Sequence, residues 1–180
     1  MIIQAVINES ISVAQSLLGE KEIKQNRSPK IDLIQREFGY LGVAYCALFV
    51  QYCYKLACVK YDYPFTFPGT ASSQTLFDWA KGCTYTDKSL VRAGHLVIWR
   101  KFMKYQGHVG IVIANPSGSS IPNSISTIEG NTSNNDYGSQ SDGDGIYQRI
   151  RYTNKIDFDV DAFYLRGFIN TNLILERAMT

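Results

Sequence analysis

The sequence predicts an α+β domain in which N-terminal helices pack on a C-terminal antiparallel sheet of about five to six strands. The hydrophobic period is helical as far as Gly82 and becomes the two-residue period of strands after it. A parallel sheet would instead need helices and strands to alternate along the chain. The 180 residues, 45% of them hydrophobic, suffice for one domain. We therefore predict a single domain over residues 1–180 with a core of about residues 10–170.

Four helices are predicted in the first half of the chain. Ser28 and Pro29 suit the cap and first residue of the second helix, which Gly39 would end. In the third and strongest helix, small and apolar side chains recur along one face from Cys46 to Ala57. The predicted ranges are 9–18, 29–38, 45–57 and about 72–81.

Strands are predicted where branched and aromatic residues alternate with polar ones. The predicted ranges are 96–99, 107–113, 125–129, 146–152 and 162–168. Between residues 131 and 145 the chain is almost all Asn, Ser, Gly and Asp, which is typical of a surface loop. The aromatic residues of 61–67 fit two roles equally well: they could flank a substrate groove or complete the core.

Composition excludes several classes of function. The net charge is only +2 and no run of Lys and Arg forms a stripe, so we expect no nucleic-acid partner. No stretch has the length of a membrane span, so we expect no membrane insertion. The first 18 residues lack the basic and then apolar pattern of an export signal, which predicts synthesis in the cytoplasm. The four cysteines lack Cys-x-x-Cys spacing and are expected to be reduced.

The strongest chemical signal is Cys46, which follows the small-residue turn of residues 42–44 and opens the third helix. The unpaired N–H groups and the dipole of a helix N-terminus favour a thiolate over a thiol, so Cys46 is a candidate nucleophile. Cysteine is also among the most buried residue types, so a packing role fits Cys46 when it is taken alone. We interpret Cys53 and Cys58 as packing residues, and Cys83 as a free surface thiol.

A cysteine nucleophile needs a base, and the chain has two histidines. His108 lies within an apolar strand, where a polar side chain usually has a partner. His95 stands just before the preceding strand, where a turn residue would serve equally well. We therefore prefer His108 as the base, although it could also be a hydrogen-bonded core histidine.

The imidazole in turn needs a group that fixes its tautomer. Alternation along the strand places Glu129 and Asn131 on one face, and either could orient His108. Taken singly, the two residues would also fit the end of a strand and the start of a loop. Glycines near these positions would permit close approach of the backbones. They are Gly107, Gly110 and Gly130.

A zinc site is the main alternative use of these residue types. It would combine Cys46 and Cys53 with His95 and His108, but no pair among them has the close spacing of structural zinc sites. The spacing therefore does not favour a structural zinc site, and no cofactor is predicted.

Three blocks of sequence resemble the cysteine, histidine-dependent amidohydrolase/peptidase (CHAP) domain of phage lysins and bacterial cell-wall enzymes. Together they span about residues 15–168, and their order makes the resemblance fairly specific. The blocks are Gly19–Glu22 with Asn26–Ile31 and Tyr45–Val50; Ala93–Trp99 with Gly107–Val112; and Thr127–Thr132 with Gly143–Arg149.

The resemblance implies a papain-like fold and a peptidoglycan hydrolase that cleaves an amide bond through a thioester. The enzyme would be an N-acetylmuramoyl-L-alanine amidase or a stem or cross-bridge endopeptidase. By the same resemblance, Cys46 is the nucleophile, His108 the base, and Glu129 and Asn131 complete the site. Two departures are visible. His95 replaces the Asp that usually follows Ala-Gly. The acidic cluster of calcium-binding members is missing before Cys46, so the resemblance predicts no metal.

Two alternatives to this interpretation stay open. One is an NlpC-type endopeptidase, which would share the cysteine and the histidine. The other is a catalytically silent cell-wall-binding or structural module on the same scaffold. For the enzyme we expect peptidoglycan as the substrate. The enzyme would reach the cell wall after release or delivery from the cytoplasm. A partner chain could target or inhibit it.

Overall fold

The structure is a computed structural model that describes residues 2–102, 104–114, 123–134, 143–153 and 163–179. Within these ranges, helices precede an open antiparallel sheet, so the predicted α+β class is confirmed. The helices are α1 (Ile2–Ser16), α2 (Pro29–Arg36), α3 (Cys46–Lys60), α4 (Ser73–Trp79) and α5 (Thr171–Arg177). The strands are β1 (Thr84–Tyr85), β2 (Leu96–Lys101), β3 (Gly107–Ala114), β4 (Ser124–Thr132), β5 (Gly145–Tyr152) and β6 (Phe163–Ile169).

The sheet has the strand order β1-β6-β2-β3-β4-β5, and every neighbouring pair is antiparallel. Side chains of β2 alternate between two apolar clusters. Leu96 and Ile98 belong to the cluster shared with α1 and α3, whereas Val97 and Trp99 belong to a smaller cluster. The sheet is therefore buried on both faces around β2.

The cap predicted for α2 is confirmed. The backbone N–H of Ile31 donates to the Ser28 hydroxyl oxygen at 3.2 Å, and Pro29 is the first helical residue. Helix α1 begins at Ile2 rather than at residue 9, because Val6 and Ile7 extend its buried side toward the N-terminus. The short β1 and the C-terminal α5 were not predicted.

Helix α3 is the central helix of the molecule. The predicted apolar face from Cys46 to Ala57 is buried, and so is every other residue from Cys46 to Tyr54. The helix packs against α1 and α2 and against the strands β3 and β4, which leaves that part without a solvent face. The first residue of α3, Cys46, thus lies within the fold.

The aromatic residues of 61–67 complete the core. Phe67 stacks on Tyr54 and on Phe65, with ring centroids 5.2 and 5.5 Å apart, and also contacts Trp79. Most of the predicted surface loop, residues 135–142, lies outside the described residues. Its first residue, Asn131, is buried within β4. No helix in the described ranges is long and apolar enough to cross a membrane.

Candidate active site

Cys46 borders a cavity of about 580 Å³ and is 3% exposed. Tyr45 occupies the cap position of α3 but makes no side-chain cap hydrogen bond to the first turn. Most of the cavity wall is polar. Its polar side chains include Gln25, Asn26, Ser72, Ser73, Lys101 and Gln106. The sulfur therefore lies where a helix N-terminus meets a cavity lined by hydrogen-bonding groups, which suits a polar substrate.

His108 is fully buried on β3 and contacts Trp99 of β2, its partner in the strand register. Its Nε2 atom lies 2.9 Å from Oε2 of Glu129. Burial disfavours the imidazolium, but hydrogen bonds to Cys46 and Glu129 raise the pKa of His108 to about 9. At neutral pH the ring is therefore a cation, with the Glu129 carboxylate on its Nε2 side.

Glu129 is fully buried and is held by three groups besides the histidine contact. Nε of Arg151 donates to Oε1 at 2.8 Å, a second Arg151 nitrogen donates to Oε2, and the Thr127 hydroxyl donates to Oε1 at 2.6 Å. Burial alone would raise the pKa of Glu129, but the charge of Arg151, together with His108, holds it well below its usual range. The carboxylate is thus an anion at neutral pH.

The structure brings together three of the four predicted site residues in series: Cys46, His108 and Glu129. The fourth, Asn131, is buried nearby at a register shift between Gly130 and Thr132, where its φ of 58° interrupts the alternation of β4. Because a register shift breaks the two-residue alternation, Asn131 no longer has to share the strand face of Glu129. The sequence left open whether Glu129 or Asn131 orients the His108 ring. In the structure the Glu129 carboxylate contacts Nε2 of that ring.

The sequence places Thr127 on the face of Glu129 but predicts no role for it, and it predicts none for Arg151. The alternation that placed Glu129 also places Thr127 on its face, so a signal existed for this residue. Arg151 falls within the predicted strand 146–152, but a lone arginine there is most simply exposed. In the structure it is 3% exposed and its guanidinium lies over Trp99.

The predicted close approaches at glycines are confirmed. A Cβ atom on Gly110 would lie 2.7 Å from Cγ of Glu129, and one on Gly130 would lie 2.9 Å from Cβ of Phe49. A Cβ on Gly107 would also clash, with the side chain of Gln74. Gly110 thus makes room for the carboxylate, and Gly130 lets β4 pack against α3 just after Cys46.

His95 lies away from this cluster, four residues before Trp99 on β2, and borders a different cavity. The Tyr85 hydroxyl hydrogen-bonds to its Nδ1. Burial lowers the pKa of His95 to about 4, so the ring is neutral. No group of three or more His, Cys, Asp or Glu side chains in the described ranges is placed to hold a metal ion.

The other three cysteines are free thiols in packed surroundings. Cys53 and Cys58 lie in the core, and burial raises the pKa of Cys58 to about 11 and that of Cys53 further. Cys83 is 2% exposed, so its prediction as a surface thiol was wrong; it packs in the main core cluster. Burial raises the Cys83 pKa as well.

The chain matches no family model, and a search of curated proteins likewise finds no match. A thiol beside an imidazolium, which in turn is held by a buried carboxylate, is an arrangement that can perform nucleophilic attack and proton transfer.

Proposed function

We propose that this protein is a cysteine amidohydrolase that cleaves an amide bond of peptidoglycan. The observation that carries the proposal is the buried series of Cys46, His108 and Glu129 at the edge of a polar cavity. The choice of peptidoglycan depends on the resemblance of the sequence blocks around these residues to the CHAP domain. The cleaved bond is either the one between sugar and stem peptide or one within the peptides.

In the first half of the proposed reaction, the proton of Cys46 resides on His108. The thiolate attacks the amide carbonyl, a C–S bond forms, and the carbonyl π electrons move to oxygen. The backbone N–H of Cys46 helps to stabilise that oxyanion. When the intermediate collapses, the C–N bond breaks and the amine leaves with the proton from His108.

In the second half, His108 takes a proton from water, and the hydroxide attacks the thioester carbonyl. Collapse of this second intermediate breaks the C–S bond and releases the carboxyl product. The thiolate then regains its ion pair with the histidine. Glu129 keeps the ring in one orientation throughout, because its carboxylate is itself held by Arg151 and Thr127.

The test is digestion of purified peptidoglycan by the wild type and by Cys46→Ala, with mass spectrometry of the released muropeptides. We expect the variant to lose nearly all turnover, since the residues of such a site act as a unit. Cys83→Ala, a buried thiol outside the cavity, is the matched control and should retain activity. Substantial digestion by Cys46→Ala would contradict the nucleophile assignment, and no digestion by the wild type would contradict the proposed activity on peptidoglycan.

A further inference from the structure

Lys101 sets the charge of the cavity beside Cys46. Among the described residues that line this cavity, Lys101 is the one lysine, and Arg, Asp and Glu are absent. The other polar side chains of the wall, Cys46 apart, are neutral amides and hydroxyls. The thiolate and the His108 imidazolium compensate each other in the proposed reaction, so the cavity has the net positive charge of Lys101. A cleft lined by charge of one sign attracts ligands of the opposite sign.

Two carboxylates contact residues of this wall without bordering the cavity. Glu22 accepts the backbone N–H of Asn26 at 2.6 Å. Asp78 accepts the Tyr105 hydroxyl at 3.0 Å and is paired with Arg166. An anion in the cavity would therefore meet Lys101 and neutral donors, and no acidic side chain of the described wall would repel it.

The hairpin between β2 and β3 positions Lys101. Lys101 is the last residue of β2 and stands opposite Phe163 in the register with β6. Its backbone N–H donates to the Gln106 carbonyl at 2.8 Å, and its Nζ lies 5.9 Å from the centre of the buried Phe163 ring. A lysine stem can pack on apolar surface while its ammonium group stays in water. The ammonium group is thus in place at the cavity before a substrate binds.

We propose that Lys101 binds a carboxylate of the substrate and makes the enzyme specific for stem peptides whose acidic groups are free rather than amidated. This inference rests on the proposed function, because it names the form of peptidoglycan that the same cavity takes. Stem peptides carry carboxylates that stay free when the peptide is assembled. A few placed polar groups in a pocket fix the orientation of a ligand and provide specificity.

The first test measures the charge of the cavity without peptidoglycan. Iodoacetate and iodoacetamide both form a C–S bond with the Cys46 thiolate and expel iodide, but only iodoacetate carries a carboxylate. The rates are followed in the intact chain by mass spectrometry of the peptide that contains Cys46. The ratio of the two rates, compared between variants, isolates attraction of the anion from reactivity of the thiol.

Lys101→Met is the decisive variant, because it keeps an unbranched stem against Phe163 and removes the charge. Lys104→Met is the matched control, since Lys104 is exposed on the same hairpin and does not line the cavity. We expect the ratio of iodoacetate to iodoacetamide to fall about threefold or more in Lys101→Met, the scale of one unit charge about 10 Å away. A smaller fall, or an equal fall in Lys104→Met, would overturn the role of Lys101.

The second test uses muropeptides with their stem carboxylates free, and the same muropeptides after amidation of those carboxylates. We expect wild type to favour the free form in kcat/KM by about tenfold or more, the scale of a hydrogen bond to a charged group. Lys101→Met should lose most of this preference, and Lys101→Arg should keep it. Equal digestion of both forms by wild type, or an unchanged preference in Lys101→Met, would overturn the proposed specificity.

The two tests separate this inference from the proposed function. If wild type digests neither form, the activity on peptidoglycan fails, and the alkylation ratio alone decides whether Lys101 attracts a carboxylate. If the free form is digested and the ratio does not fall in Lys101→Met, the proposed function stands and the role of Lys101 is overturned.

Discussion

Arg151 is the side chain on which the charge of the candidate site depends. It gives two hydrogen bonds to the fully buried Glu129 and a third, at 3.3 Å, to the Thr132 hydroxyl. Its own side chain is 4% exposed, so neither member of the ion pair is solvated. Removing one partner of such a pair leaves a buried charge without compensation.

We expect Arg151→Met to lower the free energy of unfolding by about 3–5 kcal/mol. The measurement is urea denaturation near neutral pH. The double variant Arg151→Met with Glu129→Gln is the control, because it removes both charges and should recover part of the loss. A double variant no more stable than Arg151→Met would show that the loss is not electrostatic.

Beyond single side chains, the site depends on how closely β3 and β4 approach each other. A methyl group on Gly110 would lie 2.7 Å from Cγ of Glu129 and 3.3 Å from Cβ of Thr127, so the carboxylate would have to move. Because His108 on β3 contacts that carboxylate, movement of Glu129 changes the orientation of the ring.

Gly110→Ala is therefore expected to reduce peptidoglycan digestion by about 10²-fold, which is the scale of a misplacement near 1 Å. Gly39→Ala is the matched control. Gly39 has a φ of 78° and open space around its Cβ position. Alanine at this position would therefore cost only backbone strain, about 1 kcal/mol. We expect this control to lose stability while keeping its activity, and equal activity losses in both variants would contradict the role given to Gly110.

Secondary-structure elements with local signals were predictable from the sequence, and those fixed by tertiary contacts were not. Ser28 and Pro29 identify the start of α2 because capping is a local interaction. β1 has only two residues and depends on pairing with β6. Helix α5 did carry a usable signal, since the side chain of Asn170 accepts from the N–H of Asn172.

The residues of the candidate site show the same difference between local signals and tertiary contacts. Cys46, His108 and Glu129 could be proposed from a helix start and from strand alternation, which are local patterns. The bulge at Asn131 could not, because it arises in the pairing of β4 with β5. The burial of Arg151 depends on Trp99 and Glu129, which are distant along the chain.

For the molecule as a whole, His108 couples stability to pH. Its pKa of about 9 lies above the ordinary 6.5, so the folded chain binds this proton more tightly than the unfolded chain. The resulting stabilisation is complete below pH 6.5 and is lost as the pH rises through 9. Each pKa unit corresponds to about 1.4 kcal/mol, so the loss is on the order of 3 kcal/mol.

Urea denaturation of the wild type and of His108→Gln at several pH values from 6 to 10 measures this contribution. We expect the wild type to lose more stability over this range than the variant, in which only the other titrating groups remain. Parallel pH profiles would contradict a protonated His108 at neutral pH.

Cys46 belongs to the helical part of the fold, whereas His108, Glu129 and Arg151 belong to three adjacent strands. The sulfur and the imidazole thus meet across the boundary between α3 and the sheet, where Gly130 lies against Phe49. A small slip of the helix along that boundary would part the two groups while the chain stayed folded. The reactivity of one thiol would then register loosening between the two layers before any global unfolding was detectable.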